Sequence, residues 1–338
     1  MAKIRETGKR IIESEKEQET VKIETPTFKP QQILTQFINL IEIEEEISYK
    51  NIKVFPLHLK ATDLRTIKLK TLDEALKDGI LEIQETSIVG NLKFINKSKT
   101  DKILIVEGDI VQGGRQNRVI NITMILDEDS QVTVPTSCVE QGRWHGSSSS
   151  FSSSSSKSTS SMYRKLNETV YCNYAALGGK GLSAYASDQP ALWNTIDHQL
   201  SDIDVSSPTN SFLDSCSVRD EDINDYIEKI MTHIKDCCGL AAVIGSKIVV
   251  SIADSVELFM PSIKATLKSH IIDALSAKIK PQHDVEAVVK AINDCIENKT
   301  DLLESPNRIG QIIKLISPNS GSAFLYKDSI VNMQFVRE

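Results

Sequence analysis

The sequence predicts an α+β fold: an antiparallel, β-rich N-terminal half, a mostly helical second half and closing C-terminal strands. Three observations carry this reading. Short apolar runs with a two-residue period dominate from Ile38 to Asn96. Apolar residues recur at helical spacing through most of the second half, from Gln189 onward. Strands followed by helices and then by strands do not give the regular alternation of βαβ units.

Residues 1–29 are rich in Lys and Glu and poor in large apolar side chains. They read as a charged flexible tail, open to a protein partner. Residues 30–338 read as one α+β domain. Ile52 to Leu59 is a strand, and Pro56 marks it as an edge or a bulge. Thr71 to Lys77 is a short helix: Thr71 caps it, Glu74 completes a capping box and Gly79 stops it. Leu81 to Glu85, Val89 to Asn96 and Ile103 to Val106 are further strands. Val119 to Leu126, the turn Asp127 to Ser130 and a second short apolar run form a β-hairpin. Residues 147–161 are nearly all serine, with few core-forming side chains, and read as a mobile surface loop or a lid.

The helices follow. Gln189 to Leu200 carries Leu192, Ile196 and Leu200 on one stripe. Glu221 to Asp236 carries Ile223, Ile227, Ile230 and Ile234. Leu240 to Ile244 and Lys247 to Ile252 make a hairpin around Gly245-Ser246. Pro261 to Ala277 and Val285 to Ile296 are helices. Arg308 to Ile316, Ala323 to Tyr326 and Ile330 to Val336 are the closing strands.

Composition narrows the function. The net charge of −7 argues against duplex nucleic acid, which requires a basic face. No run approaches the ~18 apolar residues of a membrane helix, and the N-terminus has no apolar signal core. The expected location is cytoplasmic, away from membranes. Six cysteines form no CxxC pair and fit neither a zinc site nor a disulfide framework; they read as reduced, mostly buried thiols. The six histidines are scattered with no HxH or HExxH spacing, so no metal site is expected. Gly113-Gly114 and Gly178 to Gly181 lack phosphate-loop spacing and read as turns. There is no GxSxG.

One region stands out chemically. Glu107, Gln112, Arg115, Gln116, Asn117 and Arg118 precede the predicted hairpin. Glu140, Gln141, Arg143, Trp144 and His145 follow it. A hairpin brings its ends together, so the two clusters should meet, with Glu107 and Arg118 beside Glu140 and Arg143. Such a set suits a polar, anionic ligand. Glu107 and Glu140 could divide acid and base work, or simply pair with Arg118 and Arg143; both readings stand on the residues alone.

The run Glu107-Gly108, Gly114 to Arg118, Val134-Pro135 and Ser137 to Trp144 resembles the ARG and rhodanese-phosphatase-superfamily-associated protein domain family, which is prokaryotic. The likeness continues through Arg164, Gln189, Trp193, Ser207-Pro208-Thr209, Glu257 to Phe259 and the closing segment. It covers roughly residue 30 to the end. It implies an α+β domain connected with NAD-derived or ADP-ribose-linked nucleotide metabolism, an inference by association.

On this reading Glu107 and Glu140 are the candidate catalytic residues. Gln116, Asn117, Arg118, Gln141, Arg143, Trp144 and Arg164 are the candidate ligand-binding residues. The arginines would take phosphate oxygens, the amides would read hydroxyls or a base edge, and Trp144 would stack. Three functions follow: a nucleotide-ligand domain, which could be an enzyme acting on ADP-ribose-like phosphate compounds; a non-catalytic metabolite-sensing or protein-interaction module using the same cluster; or a structural protein whose polar residues form a buried ion-pair network and which works through assembly. Neither cofactor nor oligomeric state follows from the residues.

Overall fold

The computed structural model describes residues 29–60, 68–144 and 150–338. The charged tail (apart from Lys29), His145 and Ser147 to Ser149 lie outside the described residues.

The chain opens with α1 (Pro30–Asn39). Pro30 at its first turn suits a position whose N–H has no helical partner. Ile33, Leu34, Phe37 and Ile38 form its buried stripe. Strands β1 (Ile41–Ile43), β2 (Ile47–Tyr49) and β3 (Ile52–Leu59) follow. β1 and β2 both pair with the same side of β3 and leave a gap opposite Phe55 and Pro56. The Pro56 carbonyl accepts the Glu44 N–H across that gap at 2.9 Å. The donor that proline lacks would point the same way, so Pro56 sits in an interior strand without breaking a ladder. The expected edge or bulge is not found: β3 is interior and pairs with β13 in unbroken register through Pro56.

Next come β4 (Leu69–Thr71), α2 (Leu72–Lys77), β5 (Leu81–Glu85), β6 (Asn91–Asn96) and β7 (Lys102–Ile105). The Thr71 hydroxyl accepts the Glu74 N–H and the Glu74 carboxylate accepts the Thr71 N–H, the capping box expected from sequence. Then follow β8 (Asp109–Gly113), β9 (Arg118–Ile120), β10 (Met124–Leu126), β11 (Ser130–Cys138) and β12 (Phe151–Lys157).

Two expectations need correction. Val119 to Leu126 is not one hairpin arm. β9 pairs with β11 as expected, but the chain turns at Asn121 to Thr123 and β10 pairs with β7 in another sheet. Nor is 147–161 a surface loop throughout its described part. Phe151 to Lys157 is a strand on β8, and a helix begins at Ser160. The serines contribute hydroxyls in place of apolar bulk. Ser154 donates to the Ile110 carbonyl at 2.6 Å and Ser153 to the Asp73 carboxylate. Satisfied hydroxyls tolerate burial, and Ser156 and Thr159 are buried with their hydroxyls bonded to the Ser154 carbonyl and to Gln199.

The second half contains α3 (Ser160–Leu177), α4 (Gln189–Asp202), α5 (Phe212–Val218), α6 (Asp220–Met231), β13 (Gly239–Ile244), β14 (Lys247–Ala253), α7 (Val256–Phe259), α8 (Ile263–Ser276) and α9 (Val285–Glu297). It closes with β15 (Lys299–Glu304), β16 (Gln311–Ser317), β17 (Ser320–Tyr326) and β18 (Ser329–Arg337). α3 was not expected from sequence; its first turn is serine, which masks the start of the apolar stripe Met162, Leu166 and Val170.

A large antiparallel sheet runs β1-β3-β13-β14-β18-β17-β16-β15, with β2 also on β3. A second sheet runs β12-β8-β9-β11-β6-β5, and a small third one β10-β7-β4. β13 shows how the large sheet is covered. Leu240, Ala242 and Ile244 point into a core shared with α8 and the second sheet, while Ala241 and Val243 face the opposite layer with α1 and α9. Both faces are buried, so β13 reads as a continuous apolar run. Among the described residues no helix is long and apolar enough to cross a membrane.

Candidate functional site

The register of β9 on β11 places Arg118 opposite Cys138, so the chain entering β9 meets the chain leaving β11. Glu140 stands at the centre of the corner they form. Its Oε2 accepts from Arg143 Nε at 2.8 Å and Nη2 at 2.7 Å, and from the Asn117 N–H at 3.3 Å. Its Oε1 accepts from the Thr209 hydroxyl at 3.0 Å. Arg143 also donates to the Gly114 carbonyl at 2.9 Å and to Asn117 Oδ1 at 3.2 Å. Gln116 donates to the Glu140 carbonyl at 2.7 Å, and Gln141 accepts from Asn210 at 3.2 Å. The Gly113-Gly114 turn makes this approach feasible. Both residues have positive φ, and a Cβ on Gly114 would lie 2.4 Å from the Phe151 ring.

Arg118 lies behind this network with no exposed surface. Its Nη1 reaches Gln116 Oε1 and the Asn117 carbonyl only at 3.4 and 3.5 Å. Its Nε and Nη2 have no hydrogen-bond partner among the described residues, and the nearest carboxylate, Glu85, is 3.9 Å away. Burial pushes the neighbouring Cys138 thiol pKa up, and the Arg118 charge offsets this only in part. Trp144 is 55% exposed, a flat apolar face beside Arg143.

Glu107 is elsewhere. It precedes β8, whose Val111 lies opposite Arg118. Four residues of strand, about 13 Å at the usual rise, separate it from that point. The expected meeting with Glu140 fails because β8 runs between the two ends of the polar cluster. Glu107 is buried among hydroxyl and amide donors. Its Oε1 accepts from Tyr163 at 2.6 Å, from Asn167 at 3.4 Å and from Ser322. Its carbonyl accepts from Gln334 at 2.8 Å and its N–H donates to Thr123 at 3.1 Å. Burial and then the Glu107 charge hold the Tyr163 phenol well above its usual range. Lys314, 4% exposed, is pushed down to about 8 by burial, against the opposing pull of Glu107. Arg164 joins neither group; it pairs with Glu168 at 2.8 Å and with Glu338.

The corner therefore gathers Gln116, Asn117, Arg118, Glu140, Gln141 and Arg143, with Trp144 at its edge. Glu107 and Arg164 lie apart. Sequence reading missed Thr209, although Ser207-Pro208-Thr209 is part of the resemblance. It also missed Lys314, whose signal was a lysine inside the apolar run Ile312 to Ile316.

Two narrow cavities lie near Glu107, of about 40 and 20 Å³, lined in common by Lys157, Ser251, Thr266 and Gln334; Glu107 itself lines the smaller. They admit water-sized groups, far below the roughly 300–1,000 Å³ of small-molecule pockets. His270 lines the smaller one. It is 3% exposed, neither ring nitrogen has a hydrogen-bond partner among the described residues, and burial lowers its pKa to about 4. One turn on along α8, the Asp273 carboxylate accepts the Ser160 N–H at 2.7 Å at the positive end of α3. Burial still raises its pKa to about 6.

These two shifts oppose each other. The lowered His270 pKa makes the unfolded state the stronger proton binder, so stability is lost as pH falls from about 6.5 to about 4. The raised Asp273 pKa makes the folded state the stronger binder, so stability is gained between about 6 and 4. Each contribution is about 3 kcal/mol. Urea unfolding at stepped pH should show Asp273→Asn losing about 3 kcal/mol relative to the parent across this window, and His270→Phe gaining about as much. Profiles of both variants parallel to the parent would refute the opposition.

Among the described residues no group of three His, Cys, Asp or Glu side chains could hold a metal ion. All six cysteines are free, and Cys172 alone is exposed.

The sequence model of the ARG and Rhodanese-Phosphatase-superfamily-associated Protein domain matches residues 40–336. Comparison with curated proteins and with solved structures gives no match.

Proposed function

The chain belongs to that domain family, and from this premise we propose that it is a non-catalytic binding module for a small anionic, nucleotide-like ligand at the Arg118–Arg143 corner. The observation that carries the reading is Arg118. A buried guanidinium with two nitrogens lacking hydrogen bonds and no carboxylate closer than 3.9 Å among the described residues is costly unless an anion completes it. The ligand anion replaces the partly exposed Glu85 carboxylate as its nearest counter-charge. Trp144 offers an exposed ring for a base, and Gln141 an exposed amide for a base edge or a hydroxyl.

A binding role is favoured over an enzyme acting on ADP-ribose-linked phosphate compounds. Such an enzyme needs a carboxylate free to activate water beside the ligand. Glu140 is committed to Arg143, Asn117 and Thr209, and Glu107 lies at the far end of β8.

The test is a thermal-shift screen of ADP-ribose, NAD, cyclic nucleotides and phosphosugars, since a ligand that binds only the folded state raises Tm. Calorimetry on the hit follows. Trp144→Ala should weaken binding by about 1–3 kcal/mol, the worth of one base stack, with Tm unchanged because the ring is exposed. Arg143→Lys should weaken binding at least tenfold and also lower Tm, since lysine loses the planar fork that holds Glu140. No nucleotide hit, or a hit indifferent to both substitutions, would defeat the proposal.

A further inference from the structure

We propose that a second site lies away from this corner, in a cavity of about 480 Å³ between α4, the end of α8 and the β13–β14 turn, and that it binds a small uncharged polyhydroxylated compound of pentose to hexose size. The volume falls within the range of small-molecule sites, unlike the two narrow cavities beside Glu107.

The chemistry of the lining selects the ligand class. Its charges balance: Lys247 and Lys278 against Asp202 and Asp273. Each is also engaged within the protein. Lys278 lies 3.5 Å from Asp202, Lys247 donates to the Ser161 hydroxyl at 3.1 Å, and Asp273 accepts the Ser160 N–H at 2.7 Å. An ionic ligand therefore finds no surplus counter-charge.

What remains, apart from the His198 ring and the Gln199 amide, is rich in acceptors. The Thr195 hydroxyl donates to the Ala191 carbonyl and the Ser276 hydroxyl to the Ile272 carbonyl, both at 3.0 Å. Each then presents only lone pairs to the cavity. α8 ends there at Ser276, and the last turn of a helix leaves carbonyl oxygens without intrahelical donors, although that of Ala274 already accepts from the Ala277 N–H and the Asn51 amide. The Asp273 carboxylate adds a further acceptor. A molecule bearing several O–H donors and no charge complements this wall. Ile244 and Ile279 supply apolar contact for its carbon skeleton.

The experiment uses the full chain with D-ribose and sorbitol as probes and putrescine as the cationic control. Calorimetry and amide NMR are the readouts; Tm is not, because polyols stabilise proteins non-specifically by exclusion. Ribose or sorbitol should bind in the millimolar range and shift the amide resonances of Gly245, Ser246 and Ala277. Thr195→Val and Ser276→Ala should each weaken binding about three- to tenfold. Both hydroxyls bond only within their own helices, so the fold is kept. Ala277→Trp, which fills the cavity, should abolish binding. The proposal is overturned if neither polyol shifts these resonances, if all three variants bind like the parent, or if putrescine binds more tightly than ribose.

Discussion

Replacing Glu107 with leucine is expected to remove about 3–5 kcal/mol of folding free energy, the usual cost of deleting one member of a buried charged network. The carboxylate is the shared acceptor for Tyr163, Ser322 and Asn167, and its charge is what favours the ammonium of Lys314 in a buried strand. Without it, Ser322 and Asn167 lose this acceptor, Tyr163 keeps only the Gln334 carbonyl at 3.1 Å, and Lys314 keeps the Asn167 carbonyl at 3.3 Å and the pull of Glu168 but loses its foremost counter-charge. Glu107→Gln keeps the shape and should be milder. Adding Lys314→Met to Glu107→Leu should restore part of the loss, because removing both charges is less costly than removing one. Urea unfolding of the three variants measures this. A loss under about 1 kcal/mol for Glu107→Leu would show that the network contributes little.

The second large effect is alkaline. Burial raises the thiol pKa of Cys237 to about 11, and of Cys238 and Cys295 to about 12, from 9.0. The folded state then holds these protons more tightly, so their stabilisation is complete below pH 9 and is lost above it. Lys314 acts in the other direction. Its pKa, lowered from 10.5 to about 8, means that the unfolded state binds its proton more tightly, and stability rises with pH across that interval. Between pH 9 and 10.5 these three thiols oppose one lysine, a net difference of at least two protons, since burial also raises Cys138 and Cys216. Stability should fall by at least about 2–3 kcal/mol per pH unit. The slope should be shallower in Cys295→Ala by about 1.4 kcal/mol per pH unit. A flat or rising profile over this interval would contradict the assignment.

Much of the fold was legible because local rules and tertiary structure agree. Thr71 and Glu74 cap α2 as their spacing dictates. Gly245 turns the β13–β14 hairpin with φ +58. The closing strands follow their apolar runs. The misreadings came where a long-range partner overrides the local pattern. Val119 to Leu126 looks continuous, yet β7 offers its second half another ladder. The serine run looks incapable of packing, yet Asp73 and the Ile110 carbonyl satisfy its hydroxyls. The site was legible in part for a related reason. Adjacent strands fix Arg118 beside Cys138 by register, so the Glu140–Arg143 corner follows from hairpin geometry. Glu107 is placed by Tyr163 on α3 and by Ser322 and Gln334 on the last two strands, residues more than fifty positions away. No spacing near Glu107 announces them.

The strand order of the large sheet governs how the chain reaches this state. β3 pairs with β13 through Leu57 and Gly239, and β14 takes its other neighbour from β18, the last strand. During synthesis, β3 emerges with β1 and β2 on one edge, but its other edge stays unpaired until β13 follows. Even β14 keeps one edge unpaired until β18 emerges. Pairing across such sequence distances is slow, since the entropy of closing long loops precedes the contacts that reward it. Until then, the apolar edges of β3 and later β13–β14 are open to other chains. The large sheet therefore closes only once β18 has emerged, and the nascent chain is most open to aggregation before that strand appears.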